Sequence, residues 1–292
     1  MSAPRRDAFS RFHPAVNFAY FLGAIGFGVV IQHPAYLLVA FLAAAGYYLF
    51  LHGKKGLRTI LGLLPVFAVL SLINPLFNTG GDRVLLRIFG RPYTLQALYY
   101  GMAIGAMFVV MMLWFGCYNA VLTSDKFMAL FGSLAPGISL LLVMILRLIP
   151  NLLGKIRQIS GARDAIGKGV SAGDSRKEKL LGGAAVLSSL TDWALEGSVV
   201  TADSMSARGY GTGRRTGFQI YRMTPRDWGT LLLLAALALA VIAAGGTRVS
   251  FTPVLSVPPA GWGLAAYGAF LLLPVALDIK EAIQWNISIW KI

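Results

Sequence analysis

The sequence predicts an all-α protein: a polytopic membrane helix bundle with long amphipathic cytoplasmic coupling helices. Three observations lead there. Hydrophobic residues make up 57% of the 292 positions and charged residues only 13%, against roughly a quarter charged in soluble domains. Several apolar runs approach the ~17–25 residues that a membrane helix needs. A basic stretch, residues 151–227, separates the last two runs from the others.

Taken in chain order, the start "MSAPRRDAFSRFHPAV" places basic residues ahead of an apolar run but has no convincing small-residue cleavage site. It reads as a retained cytoplasmic tail before the first membrane helix, not as a signal peptide. Apolar runs then cover 16–31, 35–51, 58–73 and 97–118, with "QHP" and "HGKKGLR" as the first two breaks and Asn74-Pro75 as the third. Residues 74–96 are polar and glycine-bearing, and "GGDR" marks a turn. Two further runs, 228–245 and 262–277, lie towards the end of the chain.

Charge decides how these runs are oriented. Thirteen of the 26 Lys and Arg residues fall between Arg147 and Arg226, and such a block belongs on the cytoplasmic side. With Arg5, Arg6 and Arg11 also inside, four spans return the chain to the cytoplasm at Lys126. A fifth full span over 128–150 would export the whole basic block, and Pro136-Gly137 interrupts that run. The run is therefore expected to be re-entrant or to lie along the cytoplasmic boundary. This gives six spans with both termini inside. Arg83, Arg87 and Arg91 sit against the charge rule, on the external 74–96 segment.

The organisation expected is thus 1–127 as N-terminal membrane helices, 128–227 as a coupling region, and 228–292 as C-terminal membrane helices. Within the coupling region Leu152, Ile156, Ile159 and Arg163 recur at three- and four-residue spacing. A second helix should begin at Ser175 or Arg176 and end near Ser206, with Leu180, Ala184, Leu187, Leu190, Ala194 and Leu195 forming its apolar stripe. Asp192, Glu196 and Asp203 share another face. Gly209, Gly211 and Gly213 end the helix.

Roughly thirty residues give this helix ~45 Å of length, more than bracing a bundle requires. Each helix ends on an Ala-Arg pair, Ala162-Arg163 and Ala207-Arg208. The planar, five-donor guanidinium holds a carboxylate or a row of carbonyls in fixed orientation, which lysine does not. A plainer use for the same arginine is a solvated or headgroup-facing charge at a helix end.

Other chemistries lack their residues. "GYGTGRRT" has no Gly-Lys pair, and it follows a helix where a phosphate loop follows a strand. His13, His33 and His52 have no metal-ligand spacing, and Cys117 is the single cysteine. There is no H-E-x-x-H and no G-x-S-x-G. Acids that would mark an ion path are nearly missing from the six runs, with Asp278 only at the edge of the last. Nucleic-acid binding is disfavoured because basic residues alternate with spans instead of forming one basic domain.

Four blocks, in order, carry a family likeness: "NPLFNTGG" (74–81), "LWFGCYNAVLTSDKFMALFG" (113–132), "MILRLIPNLLGKIRQISGARDAIGKG" (144–169) and "TDWALEGSVVTADSMSARGYGTGRRTGFQIYR" (191–222). In them the chain resembles the transmembrane T component of energy-coupling factor (ECF) transporters, bacterial ABC-type uptake systems for vitamins and transition-metal ions. The resemblance implies a non-catalytic coupling subunit of the cell membrane. Its two Ala-Arg-Gly-type motifs would dock into two ABC-type ATPase subunits, a homo- or heterodimer that binds ATP and Mg²⁺. A small membrane-embedded S component would capture the substrate and rest on the apolar surface of the coupling helices. No cofactor is expected on this chain itself.

Carried over residue by residue, Ala207, Arg208 and Gly209 match the second motif in full. Ala162 and Arg163 match the first, but Asp164 stands where the family has a small residue. That acid is expected either to pair with Arg163 in the free protein or to meet a basic residue on the ATPase. The alternative from another class is an ion-coupled secondary permease working through its own bundle, for which Pro136-Gly137 is the one helix break available.

Overall fold

The computed structural model describes residues 7–78, 80–81, 84–88, 91–131, 136–169, 175–213, 221–245, 249–250, 256–259 and 261–289. The "GGDR" turn in part, residues 170–174 and the "RRT" at 214–216 lie outside them. The chain divides into two compact units, residues 1–127 with 221–292, and residues 128–220.

The first unit contains a single 3₁₀ turn, Phe9–Arg11, then α1 (Pro14–Val30), α2 (Pro34–His52) and α3 (Lys54–Phe77). A two-stranded ribbon of β1 (Val84–Ile88) and β2 (Arg91–Thr94) leads into α4 (Leu95–Val121). The short α5 (Ser124–Phe131) follows at the unit boundary, and α8 (Pro225–Ala244) and α9 (Gly263–Ile289) complete the unit. The second unit is built on α6 (Pro136–Ala165) and α7 (Arg176–Ala207).

Local chemistry sets the helix starts. "His-Pro-Ala" occurs at both 13–15 and 33–35, and the structure uses it identically. Proline takes the first helical position, where its missing N–H costs nothing, and the preceding histidine Nδ1 accepts from the alanine N–H at 3.2 Å in each. Thr94 caps α4 by accepting from Ala97 N at 3.3 Å. Thr224 and Asp227 form a reciprocal capping box at the head of α8.

Among the described residues six helices are long and apolar enough to cross a membrane: α2, α3, α4, the Gly137–Ala165 part of α6, α8, and the Gly263–Glu281 part of α9. The number equals the sequence expectation, but the membership differs. At 17 residues α1 falls just short, whereas the apolar first half of α6 passes. The 128–150 run is divided between two helices, as expected: α5 ends at Phe131 and α6 begins at Pro136, which stands at the first helical position, where proline is compatible with a helix. The third run continues as helix through Pro75 to Phe77.

Aromatic side chains make the core of the first unit. Tyr20, Phe21 and Trp114 are fully buried and Phe270 nearly so. Tyr20 stacks on Phe270 at 5.5 Å and meets Trp114 edge-on at 5.8 Å, the arrangements that ring quadrupoles favour. Its hydroxyl donates to Leu271 O at 2.8 Å. On α4, "GMAIG" (101–105) brings α3 close: a Cβ on Gly101 would fall 2.6 Å from Ser71 O, so only glycine fits this small-xxx-small contact.

Two features differ from the sequence expectation. Residues 7–13 form a strap, not a loose tail. Ala8 N donates to Asp278 Oδ1 at 2.5 Å, His13 N to Asp227 Oδ1 at 3.1 Å, and Tyr47 Oη to Asp7. Arg11 pairs with Glu281 at 2.6 Å, and Arg226 covers the Phe12 ring at 4.3 Å. Lys126, 7% exposed, donates to Ser10 O and to Val121 O. The second feature is the ribbon β1–β2, which was not anticipated within the polar, glycine-bearing segment 74–96.

Candidate functional site

The sequence directs attention to the far ends of α6 and α7. Ser175 starts α7: its hydroxyl accepts from Glu178 N at 3.3 Å while Glu178 Oε2 accepts from Ser175 N at 2.8 Å. The Ser175 hydrogen bonds hold the Glu178 carboxyl below its ordinary range. The helix then runs for 32 residues, ~48 Å at the α-helical rise.

Both helices stop in the same way. At α7, Gly209 (φ +78°) turns left-handed, Gly209 N donates to Ser206 O at 3.0 Å and Tyr210 N to Met205 O at 3.0 Å. At α6, Gly167 (φ +72°) does the same, with Gly167 N to Asp164 O at 3.1 Å and Lys168 N to Arg163 O at 2.9 Å. These are two Schellman closures. Sequence reasoning located the first by its glycines. It missed the second, although "AIGKG" carries the same glycine signal.

The arginines occupy different places in those closures. Arg208 is the C-cap residue itself, adjacent to Gly209, and Ala207, Arg208 and Gly209 are all exposed. Among the described residues its guanidinium has no hydrogen-bond or ion-pair partner. Arg163 lies four residues before its glycine, inside the last turn, and is half-buried. Its Nη2 donates to Lys168 O at 3.2 Å, so the guanidinium folds back over its own turn.

Asp164 does not pair with Arg163 among the described residues. Its carboxylate lies against Gly169, where an added Cβ would fall 2.0 Å from Oδ1. Ala162 and Asp164 are exposed. The two motifs are thus shifted by three residues relative to their helix ends, close to one α-helical turn.

The packing face of α7 coincides only in part with the one expected. Besides Met205 near its end, its partly or fully covered positions are Gly182, Ala185, Val186, Leu190, Trp193 and Ala194, a stripe at helical spacing. Lys155 Nζ of α6 sits 5.6 Å from the Trp193 ring, and Leu152, Ile156, Ile159 and Arg163, the stripe expected on α6, are all partly covered, with Lys155 and Ser160 beside them. Of the expected stripe on α7, Leu190 and Ala194 are partly covered, whereas Leu180 is 74%, Leu187 62% and Leu195 62% exposed. Val199 and Val200 are open as well. Apolar residues therefore surround α7 instead of making one stripe, which corrects its description as amphipathic. Asp192, Glu196 and Asp203 are exposed.

Among the described residues no cluster of three His, Cys, Asp or Glu side chains is placed to hold a metal ion. His13 and His33 serve as helix caps, and Cys117 is buried. No protein-family model matches the chain, and no curated protein does either. Among the described residues the chain is helical apart from one small ribbon and an isolated bridge, and six of its helices have the length and apolar composition compatible with a multi-pass membrane protein.

Proposed function

We propose that the chain is the transmembrane coupling subunit of an ATP-driven, ECF-type uptake transporter for a vitamin or a transition-metal ion. It transmits motion from two cytoplasmic ABC-type ATPases to a membrane-embedded S component that holds the substrate. The observation carrying this reading is the second unit: two long helices that end in glycine closures, each presenting an arginine, with Arg208 free of any partner among the described residues.

The physical logic is that of a lever. A helix held at its tip by a rigid fork of donors transmits displacement, whereas a flexible loop absorbs it. The bare Leu180–Leu187–Leu195 face of α7 is the apolar surface on which an S component would rest. ATP and Mg²⁺ belong to the ATPases, no chemistry is assigned to this chain, and nucleic acid plays no part. The termini and residues 151–227 are placed on the cytoplasmic side of a bacterial cell membrane. A permease reading would have to use the change of helix between Phe131 and Pro136, and the near absence of Asp and Glu from the apolar runs disfavours it.

The test is co-purification. Wild type in mild detergent is expected to retain two ABC ATPase subunits and a small apolar membrane protein. Arg208→Ala should weaken ATPase retention by ~2–5 kcal/mol, the usual cost of truncating one partner of a buried charged contact. Arg163→Ala should cost less, because Arg163 must first release Lys168 O. Unchanged assembly and uptake in the double variant would refute the assignment.

A further inference from the structure

We propose that a groove in the first unit, between α2 and α3, is a binding site for one acyl chain of a membrane phospholipid, held as an integral lipid. Both helices pack along α4 and touch each other less, which leaves a cleft of about 590 Å³ between them. This lies within the ~300–1,000 Å³ range of small-molecule sites. Leu37 and Phe41 form one wall, Leu64 and Phe67 the other, and Ala103 and Ala106 the floor.

Three observations select the occupant. The cleft opens sideways: Leu38 at its rim is 60% exposed and Leu64 is 52% exposed, and both belong to helices long and apolar enough to cross a membrane. Hydrocarbon, not water, therefore faces the opening.

Polarity is graded along the cleft. Among the described residues its lining includes no charged side chain. Its two side chains with polar groups, Gln32 and Tyr99, lie in the α1–α2 connection and the second turn of α4, which the antiparallel order of the helices places at one end of the bundle. A mouth that offers an amide and a phenol, above an entirely apolar depth, fits an amphiphile inserted tail first.

Length agrees as well. From Tyr99 to Val109 the floor runs ~15 Å along α4, half of the ~30 Å hydrocarbon core and hence the depth of one leaflet. Ala103 and Ala106 keep that floor low enough for a chain to lie on it. With no charge at the mouth, the chain and not the headgroup sets affinity.

The experiment uses the full chain purified in mild detergent and washed until annular lipid is gone. Native mass spectrometry is then recorded with added long-chain phosphatidylcholine, or phosphatidylglycerol of the same chain length. Wild type is expected to keep one phospholipid of either kind per chain. Ala106→Trp fills the floor and should lower retention at least ~10-fold, equivalent to ~1.4 kcal/mol.

Leu38→Trp, at an exposed rim position that folding tolerates, should do the same and carries the test if Ala106→Trp fails to fold. Leu239→Trp on the 65% exposed face of α8 is expected to leave retention unchanged. The proposal is overturned if wild type keeps no lipid, if both groove variants keep as much as wild type, if only phosphatidylglycerol is kept, or if the retained mass is an apolar polypeptide.

Discussion

The interior of the first unit and the surface of α7 are both rich in large apolar side chains and use them in opposite ways. Around Tyr20, Trp114 and Phe270 large side chains are almost wholly covered by their own chain. Along α7, Leu180, Leu187 and Leu195 are each more than 60% exposed. A leucine left bare on a helix contributes little to the fold of its own unit, because the hydrophobic gain scales with apolar area removed from water. Contiguous bare faces of this kind mark a lipid or protein contact. The apolar character of the first unit thus stabilises that unit, while that of α7 is left for a covering surface.

Truncation separates these roles. Trp114→Ala removes a fully buried indole and is expected to destabilise the first unit by ~3–5 kcal/mol, as large-to-small changes in cores do, read as a lowered unfolding temperature in detergent. Leu187→Ala with Leu195→Ala should change stability by no more than ~0.5 kcal/mol each, while weakening capture of an S component. If the α7 pair destabilised the isolated chain as much as Trp114→Ala, the contrast would be lost.

The strap offers a smaller effect within the same comparison. Lys126→Met would leave the carbonyls of Ser10 and Val121 without their shared ammonium donor. A buried acceptor without a partner costs ~1–3 kcal/mol. Thermal unfolding should fall accordingly, with protease cleavage near residues 7–13 becoming faster. Arg11→Ala, at a pair whose arginine is 71% exposed, should change little, since surface ion pairs contribute ~0–1 kcal/mol.

How much of this was legible depended on the range of the contacts. The α7 start at Ser175 and its end at Gly209 follow from signals within four residues of each boundary, and the structure reproduces both. The strap was not legible, because Ala8 meets Asp278 across 270 residues and nothing near Ala8 announces it. The ribbon was missed because strands of five and four residues are too short for period-two alternation to stand out. The packed face of α7 was misassigned in part, for a different reason. With apolar residues on every side, periodicity alone does not say which face the chain covers and which it leaves open; Leu190 and Ala194 of the expected stripe are partly covered while Leu180, Leu187 and Leu195 are open.

Helix closure provides a further, finer test of the tips. Gly209 and Gly167 both hold left-handed φ, which costs a residue with a Cβ ~1–2 kcal/mol. Gly209→Ala should therefore fray the end of α7 and blur the orientation of Arg208. It is expected to reduce ATPase retention more than Gly167→Ala does, because Arg208 adjoins its glycine and Arg163 stands four residues away. Equal losses would mean that helix closure, not arginine placement, governs the tips.

The smallest expected effect lies at the opposite end of α7. The Glu178 carboxyl is held below its usual range first by the Ser175 hydrogen bonds. A group whose folded value is depressed adds stability above its unfolded value, and that stability is lost as pH falls through the folded value. The cap should thus be fully formed at neutral pH and weaken only in acid, below the ordinary glutamate range near ~4.3. Amide exchange in the first turn of α7 should rise there in wild type, beyond the intrinsic pH dependence of exchange, and remain flat in Glu178→Gln. Because Glu178 is exposed and the box is local, Arg208 at the far end should show no accompanying change. A coupled response at residues 205–210 would instead mean that α7 melts as one cooperative rod, and that its tip depends on its root.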